Sequence, residues 1–170
     1  MPINFYWFFI AGLIPLVVGA VYYHPKVAGT VWMRVNQFTE EDISKGNMAL
    51  IFGFAYLLGV IASFFMSYVV IHQGSLFGMM YPEVMESGSA VQAEFNELMV
   101  RYGDNSRSFS HGVIHGIIAA LMFAFPIIAI NALFERRSWK YVLIHVGYWV
   151  IALALVGGTI CATLEYAPMT

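Results

Sequence analysis

Charged residues are absent from four long stretches of this chain, residues 3–23, 48–72, 109–134 and 141–164, and gather in the segments between them. Each stretch is at least 21 residues long and is built from aliphatic, aromatic and small residues. A helix rises about 1.5 Å per residue, so each can cross a hydrocarbon layer about 30 Å thick. The pattern predicts an all-α integral membrane protein. One domain over residues 1–170 would form a four-transmembrane-helix bundle, with two short interfacial amphipathic helices between the spans.

The polar punctuation refines this outline. Pro15 predicts a kink in the first span, because its ring removes one backbone donor and frees a carbonyl. Tyr22 and Tyr23 suit a headgroup boundary, and Pro25 stops the helix. Val27, Val31, Trp32, Val35 and Phe38 then recur at helical spacing, predicting an amphipathic helix on the membrane surface. Thr39 followed by Glu40, Glu41 and Asp42 has the form of an N-cap with an acidic first turn, so the second span is expected to begin in water. In the longest loop, Ser89 and Gln92 fit a capping box. Val91, Phe95, Leu98, Met99 and Tyr102 would make an apolar face there. Glu94, Glu97 and Arg101 would lie opposite, with Gly103 at the C′ position.

Composition agrees with a membrane chain. Of 170 residues, 60% are hydrophobic and 11% charged, with a mean hydropathy of +0.73; soluble domains carry roughly 25% charged residues. The net charge of −2 gives no reason to expect nucleic acid as a partner. The first span does not read as a signal peptide, since neither a basic n-region nor a small-residue cleavage site flanks it. The single cysteine, Cys161, has no partner for an internal disulfide and is expected to pack as a small apolar residue. Lys26, Arg34 and Lys45 fall in the first loop and Arg136, Arg137 and Lys140 in the third. Only Arg101 and Arg107 fall in the second. The positive-inside rule then places both termini and the second loop outside, or in a periplasm.

Small residues recur every fourth position on three spans: Ala55, Gly59, Ser63 and Ser67; Gly112, Gly116, Ala120 and Ala124; Ala154, Gly158 and Ala162. Such stripes let backbones approach closely, which matters in lipid, where apolar burial gives no gain. They predict packing faces, either within the chain or against another subunit.

Apart from tyrosines and Cys161, the ionisable groups at membrane depth are histidines. His72 ends the second span on the outer side, and His111 and His115, spaced i, i+4, open the third on that side. Two imidazoles on one helix face and a third from a neighbouring helix make a workable metal-ligand set, or a source of axial ligands for a b-type haem. The alternative is a polar packing cluster, or a site that responds to pH or a ligand. His24 and His145 lie near the other side and read as interfacial caps. No carboxylate, Lys or Arg lies within a span, which disfavours a proton-coupled transporter. There is no phosphate-binding Gly loop, no CxxC and no nucleophile–base set, so an enzyme has little support.

Two stretches resemble a known family. Residues 131–149, NALFERRSWKYVLIHVGYW, and residues 22–33, YYHPKVAGTVWM, are similar to the bacterial membrane family called "domain of unknown function 1761". The second follows its W-Y-x-P-x-x-x-G-x-x-W-M pattern, with Tyr22 where Trp is usual. The resemblance implies a small four-span bacterial membrane protein and no particular activity. It also implies a fixed cytoplasmic turn at residues 134–138, whose role would be to set topology, or where Glu135 would pair with Arg136 or Arg137 or bind a partner. The expected function is therefore that of a non-enzymatic membrane protein, an accessory subunit or homo-oligomer acting by helix association in the lipid bilayer. The alternatives are a metal-, haem- or small-ligand-binding protein using His72, His111 and His115, and a small channel or transporter.

Overall fold

A computed structural model describes residues 3–165. The two ends, and with them the expected placement of the termini, lie outside the described residues. The described chain folds into helices and turns without a strand. In order come α1 (Tyr6–Gly12), α2 (Ile14–Tyr22), a wide π turn (Pro25–Gly29) running into α3 (Thr30–Asn36), α4 (Glu40–Ser44) and α5 (Met48–Val70). They are followed by α6 (Gln73–Met79), α7 (Ala90–Tyr102), α8 (Phe109–Ala119), a second π turn (Ala120–Ala124), α9 (Phe125–Phe134) and α10 (Trp139–Thr163).

Three helical stretches are long and apolar enough to cross a membrane: Met48–Val70, Phe109–Phe134 and Trp139–Thr163. A fourth candidate is the pair Tyr6–Tyr22 and Pro25–Asn36, bent by 57°. The first helix is itself interrupted at Leu13, two residues before Pro15, whose missing N–H breaks the hydrogen-bond ladder. Tyr148 on α10 donates its hydroxyl to the Pro15 carbonyl at 3.0 Å, tying the interrupted helix to the centre of the fold.

The acidic segment after Thr39 differs from its expected role. Thr39 and Asp42 form a complete capping box, but the helix they start ends at Ser44. The hydrogen bonds from Thr39 hold the Asp42 carboxyl below the usual carboxylate range. A separate N-cap, Asn47, starts α5 at Met48 by accepting from the Leu50 N–H at 3.2 Å. The long helix therefore starts at the first apolar residue and carries no acidic turn.

Large apolar side chains such as Leu58, Ile61, Phe65, Met122 and Leu143 point outward, while Gly59, Ser63, Ser67, Gly112, Gly116, Ala120, Ala154 and Gly158 are buried. Ala55 and Ala124 are half-buried and Ala162 is exposed. This distribution and the apolar helices point to a membrane protein.

Backbones meet at two seams. A Cβ on Gly12 would lie 2.6 Å from the Val60 side chain, and one on Gly59 would run into the Gly12 carbonyl. Across α8 and α10, a Cβ on Gly112 would collide with the Gly157 carbonyl and one on Gly116 with the Leu153 carbonyl. Only glycine permits these approaches. α10 packs on α8, α5 and α2 and is the most enclosed of the three long spans. Ser63 supports the first seam by donating its hydroxyl to the Phe8 carbonyl at 2.8 Å.

Two apolar clusters fill the interior. One gathers Phe8, Met66, Val70, Ile71, Val156, Ile160 and Leu164; the other gathers Ala129, Ala132, Val142 and Val146. Cys161 sits buried in the first, its thiol within reach of the Ser106 carbonyl at 3.2 Å.

Candidate metal centre

Two chain features bring three histidines together. The first is the start of α8. Ser108 caps it by accepting from the His111 N–H at 3.2 Å, which fixes the first turn. Gly112 and Gly116 press that helix against α10, and each follows a histidine. Successive residues are offset by about 100° around a helix, so His111 and His115 share a face beside the seam rather than in it. The second feature is the end of α5. Buried Ile71 adopts an extended conformation (φ −115, ψ 101), and His72 then opens onto α6.

The three rings meet. His72 Nε2 lies 3.2 Å from His111 Nε2. Ring centroids are 5.2 Å apart for His72 and His111, 5.1 Å for His72 and His115, and 4.4 Å for His111 and His115. One ligand nitrogen from each lies within 4.8 Å of the others; His72 is exposed and the other two are half-buried. Two nitrogens bound to one zinc ion at about 2.1 Å each are about 3.4 Å apart at a tetrahedral angle. One pair already stands near that separation. No carboxylate or thiol joins the set among the described residues. Glu165, two residues beyond α10, is exposed, and its N–H donates to Asn4 Oδ1 at 2.9 Å.

The residue next to His72 braces it. Gln73 is buried, and its Nε2 lies 3.2 Å from the Tyr102 carbonyl and 2.9 Å from those of Gly103 and Asn105. An amide beside a charge-free span is its only trace in the sequence. Gly103, at the end of α7, is right-handed (φ −59) and donates to the Met99 carbonyl, so the expected left-handed cap is not formed. Phe95 of α7 is fully buried, while Glu94, Glu97 and Arg101 are exposed.

The other two histidines stand apart. His24 caps the π turn, its Nδ1 accepting from the Lys26 N–H at 3.2 Å. His145 is no cap. Its ring packs on Tyr141 with centroids 4.3 Å apart, and its Nε2 is buried without a hydrogen-bond partner. At the turn before α10, Arg137 Nε donates to Glu135 Oε2 at 3.4 Å.

Apolar helices around an outlying three-imidazole cluster define a helical protein of membrane type. The chain belongs to the family described as "Protein of unknown function (DUF1761)", whose model matches residues 7–161. No curated protein and no solved structure matches it.

Proposed function

We propose that this chain is a four-span integral protein of a bacterial inner membrane that binds one divalent transition-metal ion through His72, His111 and His115 on the outer side. One observation carries the reading: three imidazole nitrogens, from two helix ends 39 positions apart, stand within 4.8 Å of one another. Imidazole donors suit zinc, copper, nickel and iron. The mutual closeness of all three favours a single ion over a haem, whose two axial rings must face each other across a macrocycle. The orientation rests on the Lys/Arg asymmetry between loops.

Association with another subunit or a second copy ranks behind this reading. The glycines of the small-residue stripes are taken up within the chain, Gly59 on α1 and Gly112 and Gly116 on α10.

The test is metal analysis and zinc titration of protein purified from its own membrane in mild detergent. One ion per chain is expected, lost in His115→Ala and kept in His24→Ala. Equal zinc binding by wild type and His115→Ala would overturn the assignment.

A further inference from the structure

We propose that an ion held by His72, His111 and His115 keeps one coordination position open, and that this position takes a small monodentate anion from the outer side. The inference rests on the metal reading and goes one step beyond it. Closed structural zinc sites take four protein ligands, whereas sites with three keep the fourth for water or an exogenous group. Three residues converge here, and among the described residues no carboxylate or thiol completes the set.

Charge points the same way. Three neutral imidazoles leave the full double positive charge of the ion uncompensated. Two of the rings are half-buried, where charge is screened less than in water. An anion on the ion relieves this, and a neutral molecule other than water does so poorly. Geometry leaves the room. His111 and His115 reach the ion from one helix face and His72 from the junction of α5 and α6, so all three donors approach from the protein. The vacant tetrahedral direction points away from them. His72 is exposed, so that side is reachable. The ligand class is a small inorganic anion or a carboxylate with one donor oxygen or nitrogen.

Cobalt(II) is the probe, because its visible absorption reports coordination. The intact protein in detergent is loaded with cobalt and titrated with azide, with perchlorate at equal ionic strength as the weakly coordinating control. A saturable spectral change with azide, and none with perchlorate, is expected. Cobalt bound at one per chain with a spectrum unmoved by azide would overturn the open position and leave the metal reading standing. Absence of cobalt binding would overturn both.

Discussion

The Nε2 atoms of His72 and His111 lie 3.2 Å apart, close enough for a shared proton or a shared metal ion but not for both at once. Protons and metal therefore compete for the same lone pairs. Bound metal requires neutral imidazoles, so affinity is expected to fall on acidification as protons take the donor lone pairs. Zinc titrations from about pH 7.5 to 5.5 should show affinity falling by about tenfold or more per unit at the acidic end. Affinity independent of pH would place the metal elsewhere.

The glycine seams predict a ranked series. Gly116→Leu drives a side chain into the backbone of α10, which cannot move aside. Gly158→Leu meets the Phe109 ring, which can swing. Both should lower the thermal midpoint in detergent, Gly116→Leu by more, with overpacking costs of about 1–3 kcal/mol or above. Gly53→Leu, with nothing within 4 Å of its position, and Leu155→Phe on an outward face should leave the midpoint near wild type.

Gln73→Leu keeps the approximate volume of the side chain and removes its donor from three carbonyls. Leaving such groups unpaired costs about 1–3 kcal/mol. Amide exchange should accelerate in residues 90–107 and stay unchanged through α10. Uniform acceleration along the chain would show that Gln73 supports the whole fold rather than the end of α7.

Orientation is tested with single cysteines in a Cys161→Ala background, which loses the thiol contacts to the Val70 and Ser106 carbonyls. In intact cells an impermeant maleimide should label Glu86→Cys and Asn105→Cys. It should reach Ser44→Cys and Glu135→Cys only after permeabilisation. The opposite pattern would move the histidine cluster to the cytoplasm.

The sequence shows some of this and hides the rest for identifiable reasons. Helical class follows from charge-free runs too long for strands, and Ser89 and Ser108 mark helix starts because an N-cap hydroxyl is a local device. The break between α4 and α5 is hidden because Thr39 and Asn47 are both valid caps, and only Lys45, Gly46 and Asn47 lie between the two helices. α6 leaves little mark on the sequence, because its seven residues hold two glycines and a serine, a poor helical signature. The i, i+4 spacing puts His111 and His115 on one face. The position of His72 depends on the extended Ile71 joint and on how α5 meets α8, neither of which periodicity encodes.

The absence of side chains between α8 and α10 at Gly112 and Gly116 also has a mechanical meaning. Two interlocked backbones cannot slide or roll past each other without collision, so the pair behaves as a single rod. His111 and His115 are carried on that rod, and His72 stands on the extended link at Ile71 that leads into α6. If the proposed ion binds, the adjustment that admits it is expected to fall on α6 and, through Gln73, on α7.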